Sequence, residues 1–271
     1  MTDFCDLHTH SSASDGQYSP SELVTLAAEN GIGVMALTDH DTTEGIAEAS
    51  EAGGRCSVRV IPGVELSARE YNTYHILGYA YNTEAPELAA LCARMKKRRD
   101  NRNRMILEYL NENGMPLEQG EIEAIAGGDI IGRPHIARAM VAHGYVKNNR
   151  EAFDKWLDTD EIHERMDVGK PTARECVETI KASGGKASLA HPYQIGVDND
   201  TLDAIVRELA GYGLDAIECL YPKFTPEQQA YYYHLAEKYG LHITGGSDFH
   251  GELVKPDVRL ARLELDVDWL L

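Results

Sequence analysis

The stretch Phe4-Cys5-Asp6-Leu7-His8-Thr9-His10 is strand-like through His8 and ends in two histidines one residue apart. Side chains alternate faces along a strand, so Asp6, His8 and His10 point the same way. On the inner face of a barrel this sets two imidazoles side by side at the end where barrel active sites lie, a spacing that suits two ligands on one metal.

Outward from this strand, short apolar runs alternate with helical patterns. A helix is expected after Ser19-Pro20, with Ser19 as N-cap, Pro20 at the first helical position and Glu22 closing a capping box. Strand-like Val34–Leu37 follows, then a helix from about Thr43, and then Val58–Val64 and His75–Tyr81. The order resumes with Ala187–Ala190, Ala216–Leu220 and His242–Thr244, separated by helical segments such as Leu202–Ala210 and Pro226–Lys238. Repeated strand-then-helix order predicts an α/β fold with a largely parallel sheet. Polar clusters at the strand ends favour a closed, distorted (β/α) barrel over an open sheet.

Between about Pro86 and Val168 the strand signals stop, and helices are expected over Leu88–Leu110, Glu121–Ala126, Pro134–His143 and Arg150–Leu157. The expected organisation is therefore a barrel domain from residues 1–85 and 169–271, with a helical insertion, 86–168, roofing the active site.

Bulk properties narrow the function. The chain has 271 residues, of which 43% are hydrophobic, enough for one large barrel. Cys5, Cys56, Cys92, Cys176 and Cys219 form no CxxC pair and suit buried positions in a reducing compartment. The start of the chain has no signal-peptide pattern and no apolar stretch is long enough to span a bilayer, so a cytoplasmic protein with no membrane partner is expected. A formal charge of −18 would repel long duplex nucleic acid. It does not exclude small phosphorylated substrates, because bound cations reverse the local field.

Further polar groups sit at or just beyond the strand ends: Asp15, Thr38-Asp39-His40-Asp41, Gly63-Val64-Glu65, Ala190-His191-Pro192 and Ser247-Asp248-Phe249-His250. His75 begins its strand instead, as it would if that strand ran the other way. If the barrel closes, six of the 11 histidines converge on one cavity with Asp15, Glu65 and Asp248. Nine such ligands are too many for one ion and suit two or three, with Glu65 bridging. Imidazole and carboxylate donors without thiolate favour Mn²⁺, Fe²⁺ or Zn²⁺.

Taken in order, DLHTHS, LTDHD, GVELS, HILGY, AHP and GSDFH resemble the motifs of the polymerase and histidinol phosphatase (PHP) superfamily, from end to end of the chain. The DGxxSP and LTDHDTTEG stretches and the insertion are most similar to its branch of nucleoside 3′,5′-bisphosphate phosphatases and ribonuclease AM. The resemblance implies a distorted (β/α)₇ barrel. It also implies one metal on His8, His10, Glu65 and Asp248, a second on Glu65, His75 and His191, and a third on Asp15, His40 and His250. A metal-dependent phosphoesterase follows, acting on a nucleotide phosphate, either a nucleoside 3′,5′-bisphosphate giving an AMP-type product or the 5′ end of a short RNA. Histidinol phosphate is the alternative within the same chemistry; an amidohydrolase and a nucleotide-binding module are alternatives outside it.

In this reading a metal-activated hydroxide attacks phosphorus, with Glu65, His191 and Asp248 as the catalytic set. His135, or His191 if it is not ligating, would protonate the leaving oxygen. Arg133 and His135 open a helix, where an anion is favoured, and are expected to bind substrate with Ser67 and Lys170; an ordinary helix start is the other reading. The basic run Arg94–Arg104 is read first as a solvated helix face and second as a guide for an oligonucleotide. Asp6, Asp39 and Asp41 are read either as partners that orient ligating histidines or as turn and cap formers, with the orienting role first for Asp39 and Asp41. His143, His163, His234 and His242 are expected on the surface or in packing.

Overall fold

The computed structural model describes residues 4–71, 73–126, 131–159, 162 and 169–270. His163 and the end of the expected insertion at residue 168 lie outside them. One curled seven-stranded sheet runs in chain order: β1 (Phe4–Thr9), β2 (Ile32–Leu37), β3 (Arg59–Ser67), β4 (His75–Tyr79), β5 (Lys186–Leu189), β6 (Ala216–Leu220) and β7 (His242–Gly245). Neighbours are parallel except at β4, which is antiparallel to both β3 and β5. Reversal of β4 sets His75 opposite Ser67, so a residue at the start of a strand reaches the end of the sheet where the other strands finish.

The edge strands β1 and β7 share no ladder. The Asp248 N–H donates to the His8 carbonyl at 2.8 Å and the His10 N–H to the Phe249 carbonyl at 2.9 Å, which draws the segment after β7 against β1. Farther down, Cys5 and Leu263 exchange two backbone hydrogen bonds. Close approach at this seam requires Gly246, where an added Cβ would lie 2.4 Å from both the Cβ and the N of His8.

Helices α1 (Pro20–Glu29) and α2 (Ile46–Cys56) pack on the first strands. Ser19 and Glu22 form the capping box expected from their spacing. Between β4 and β5 lie α3 (Pro86–Glu112), α4 (Gln119–Ala126), α5 (Arg133–Ala142) and α6 (Asn149–Ala152). The last was expected as one helix through Leu157, but it widens into a π-helical turn over Phe153–Leu157. These elements share a small core of their own, including Ile106, Leu110, Ile122, Ile136 and Met140. Helices α7 (Ala173–Ala182), α8 (Asn199–Tyr212) and α9 (Pro226–Tyr239) pack with the later strands around a core that includes Val177, Ile180, Leu189 and Ile217.

Candidate metal centre

Glu65, fully buried near the end of β3, stands at the centre of the cluster. Its Oε2 lies 3.4 Å from His8 Nε2, 3.2 Å from His10 Nε2 and 3.0 Å from His40 Nδ1. Its Oε1 lies 2.8 Å from His75 Nδ1 and 2.9 Å from His191 Nε2, and those two nitrogens are 3.3 Å apart. Asp248 Oδ1 approaches His10 Nε2 at 3.4 Å and His8 Nε2 at 3.7 Å, and Asp15 Oδ1 is 3.3 Å from His250 Nε2. All nine side chains singled out in the sequence are thus in one place.

Within the cluster His8, His10, Glu65 and Asp248 form one group whose ligand atoms lie within 4.8 Å of one another. His10, Asp15, His40 and His250 form a second, and His40, Glu65 and His75 a third. Hydrogen bonding alone does not complete these groups. His8 Nε2, both ring nitrogens of His10, His40 Nδ1, Glu65 Oε2 and His191 Nδ1 are buried without a hydrogen-bond partner. Unmet buried polar atoms are costly, and His8 Nε2, His10 Nε2 and His40 Nδ1 are lone-pair donors gathered at Glu65 Oε2, the surroundings a divalent cation satisfies.

Electrostatics sets the carboxylates and the imidazoles of the cluster apart. Burial alone would raise the Glu65 carboxyl, but His40, His75 and His8 outweigh it and hold the group well below the usual carboxylate range. Burial is likewise overcome at Asp248, chiefly by Lys255, and at Asp15, chiefly by His250. Burial pushes His40 down to about 3, which keeps its imidazole neutral. Ionised carboxylates and neutral imidazoles are the forms that bind metal. At His8 and His10 burial is overcome by the neighbouring carboxylates, which hold His8 well above its usual range and His10 up to about 9, so a cation there would displace their protons. Backbone strain gathers here too, since His191 and Asp248 have positive φ of 23° and 55°.

Asp39 and Asp41 do not orient histidines as expected. The Asp39 carboxylate accepts from Ser11 N, Ser11 Oγ and Ser14 Oγ, which ties down the loop after β1. Asp41 accepts from Ser67 N, Ser67 Oγ and Arg99. Asp6 accepts from His8 N, Ser247 and Ala261 N, so it knits the seam as a turn former. Short loops need their backbone N–H groups satisfied, and these carboxylates are engaged in doing so. The group that holds a histidine from behind is Glu218 on β6, which the sequence reading missed. Its Oε1 is 3.2 Å from His8 Nδ1 and its Oε2 accepts the His191 N–H at 2.7 Å. Tyr221 and Lys255, also missed, both donate to Asp248 Oδ2, at 2.9 and 2.7 Å, leaving Oδ1 to face the imidazoles.

Two adjoining cavities of about 180 and 400 Å³ open over the cluster and share Asp15, His40, His75, Pro134 and Phe153. Ser67, Arg133 and Lys170 line the smaller one, where they were expected to meet substrate. Arg133 also holds Asp158 at 2.8 Å. His135 lines neither cavity; it is fully buried, and its Nδ1 accepts the Gly132 N–H to cap its own helix. The basic run on α3 departs from the solvated face expected of it, because Arg98, Arg99 and Arg102 turn inward and form part of the smaller cavity's wall. Among the remaining histidines, His143 pairs with Glu121 and His242 stacks on Trp269.

The PHP domain family matches residues 6–164. The chain belongs to the PHP family. A 5′-3′ exoribonuclease of Haemophilus influenzae is 35% identical over 92% of this chain and 91% of its own length. A phosphoribosyl 1,2-cyclic phosphate 1,2-diphosphodiesterase of Eggerthella lenta is 34% identical over 91% and 94%. A 3′,5′-nucleoside bisphosphate phosphatase of Chromobacterium violaceum is 31% identical over 90% and 86%. A crystal structure from Bifidobacterium adolescentis, described as a metal-dependent phosphoesterase, superposes with a TM-score of 0.85 at 29% identity, covering 98% of this chain and 93% of that one. This PHP protein is accordingly a metal-dependent phosphoesterase, and its fold implies divalent metals at the cluster. Among the described residues no helix is long and apolar enough to cross a membrane.

Proposed function

We propose that this PHP enzyme hydrolyses a phosphate ester of a nucleotide, either a nucleoside 3′,5′-bisphosphate or the 5′ end of a short RNA. The observation that carries the reading is the buried cluster around Glu65, facing a cavity lined by arginines. The relatives' named substrates, an RNA and a nucleoside bisphosphate among them, support the same choice.

Three ions of Mn²⁺, Fe²⁺ or Zn²⁺ fit the donor set, Glu65 being shared. His8, His10, Glu65 and Asp248 would hold one; Glu65 and His75, with His191 in place of the His40 that also lies near them, a second; and Asp15, His40 and His250 a third. Such ions lower the pKa of bound water and screen phosphoryl oxygens. The chain's own residues do the rest. Arg133, Ser67 and Lys170 receive phosphate oxygens from the cavity wall, and the positive end of α5 adds to the attraction. Helices α3 to α6 act as an inserted roof that keeps bulk water from the reacting phosphorus. His135, with Nδ1 engaged as an acceptor and burial pushing it down to about 4, is a neutral brace of α5 and not a proton donor.

The test is phosphate release from adenosine 3′,5′-bisphosphate, 5′-phosphorylated oligoribonucleotides and histidinol phosphate, with Mn²⁺-loaded and chelator-stripped protein. Metal-dependent release from the nucleotides supports the reading. Release from histidinol phosphate alone overturns it.

A further inference from the structure

Among the described residues five cations, Arg98, Arg99, Arg102, Arg133 and Lys170, line the 180 Å³ cavity against one carboxylate, Asp15. They are not equivalent. Asp41 neutralises Arg99, and Asp158 pairs with Arg133. Arg102 is different, because among the described residues no carboxylate contacts it. Its Nε and Nη2 reach Asn103 Oδ1 at 3.2 and 2.9 Å and its Nη2 the Ile131 carbonyl at 3.2 Å, all neutral acceptors. The side chain is nonetheless turned inward, with the residue only 9% exposed. Burial, then Arg99, Arg133 and Arg98, push it well below the usual arginine range.

A buried guanidinium crowded by others with no carboxylate in contact costs stability, and Arg102 is held so beside two further inward-turned arginines of α3, Arg98 and Arg99. We infer that Arg102, flanked by Arg98 and Arg99, is the receptor for a second phosphate of the substrate, the one that is not hydrolysed. The wall that carries Arg102 is continuous with His40 and His75 in a cavity of about 180 Å³. A group seated on Arg102 therefore belongs to the same small molecule as the phosphoryl group at the metals. Planar guanidinium forks match the oxygens of a phosphate, and a dianion offsets more than one of the crowded charges. The preferred substrate is thus one with two phosphates on a short spacer, a requirement that rests on the phosphoesterase reading above and sharpens it.

The experiment compares kcat/KM for adenosine 3′,5′-bisphosphate with that for p-nitrophenyl phosphate, which has one phosphate, in wild type, Arg102→Met and Arg102→Lys, all loaded with Mn²⁺. The wild type is expected to prefer the bisphosphate. In Arg102→Met that preference should fall by ~10- to 100-fold, the value of a charge-assisted contact. Arg102→Lys should recover part of it, since a charge returns without the fork. Thermal melting checks that Arg102→Met folds; relief of the cationic crowding should leave its Tm at or above wild type, and a lower Tm would count against an uncompensated charge. An unchanged preference in folded Arg102→Met, or a wild type with no preference, overturns the inference. Rejection of all nucleotides would instead sink the nucleotide reading. Arg102 would then be judged by the same ratio measured with fructose bisphosphate.

Discussion

Replacing Glu218 by Gln isolates the role of a buried residue that lines neither cavity. Glu218 reaches two histidines of the cluster at once, His8 Nδ1 at 3.2 Å and the His191 N–H at 2.7 Å. A carboxylate only accepts, so His8 Nδ1 carries a proton, and Nε2, which faces Glu65 and Asp248, is the nitrogen left for a metal once its own proton is displaced. An amide of the same shape cannot accept from both. If its NH₂ faces His8, Nδ1 must become the acceptor, the proton moves to Nε2 and that nitrogen can no longer bind metal. If its NH₂ faces His191, two donors meet at a residue whose φ is already 23°. Outer partners of ligating histidines typically contribute 10- to 100-fold in metal affinity, about 1.4–2.7 kcal/mol. Metal content after equilibrium dialysis against graded chelator, measured together with the melting temperature of the metal-loaded protein, reads this directly. Wild-type affinity and full activity in folded Glu218→Gln would refute the tautomer argument.

Other perturbations probe the same frame. Glu65→Gln removes the charge that sits within 3.4 Å of five imidazoles, and both metal content and phosphate release should fall, by at least ~100-fold in rate; full metal occupancy with an undiminished rate would exclude a bridging role. Gly246→Ala drives a Cβ to 2.4 Å from His8, so unfolding in urea should show a loss of about 3 kcal/mol, the upper end of overpacking costs, together with weakened metal binding. Because the formal charge is −18, moderate salt should raise kcat/KM for a phosphorylated oligoribonucleotide from its value at very low salt, the reverse of a protein that captures RNA on a basic surface.

The cluster was legible because strand ends converge. Each of Asp15, His40, Glu65, His191, Asp248 and His250 follows an apolar run, and alternation alone paired His8 with His10. His75 was readable as the exception, and the antiparallel register of β4 accounts for it. Glu218 was hidden, since a lone glutamate in Ala216–Leu220 resembles any polar residue in a buried strand and its partners are 210 and 27 residues away. Asp39 and Asp41 misled for a related reason. Proximity to a histidine in sequence gives no direction to a carboxylate, and in short loops unpaired backbone N–H groups compete for it successfully. Tyr221 and Lys255 belong to no motif and meet Asp248 only in space.

The arginines on α3 could have been placed by spacing. Leu88, Leu91, Met95, Ile106 and Leu110 are the buried apolar stripe of that helix, and positions 98, 99 and 102 continue the same three- and four-residue steps. Charge was weighed there above periodicity, although a cation on an apolar stripe is the informative observation in a helix. The same correction applies to the protein as a whole. A large negative total describes mostly exposed carboxylates, whose fields water and salt screen within a Debye length of ~8 Å. Inside, the carboxylates of Asp15, Glu65 and Asp248 belong to the groups that could hold divalent cations, and arginines line the adjoining cavity. Substrate thus crosses a repulsive surface to reach a site of opposite sign. Such an arrangement disfavours long polyanions that would spread over the surface and favours small ones whose charge fits within the cavity.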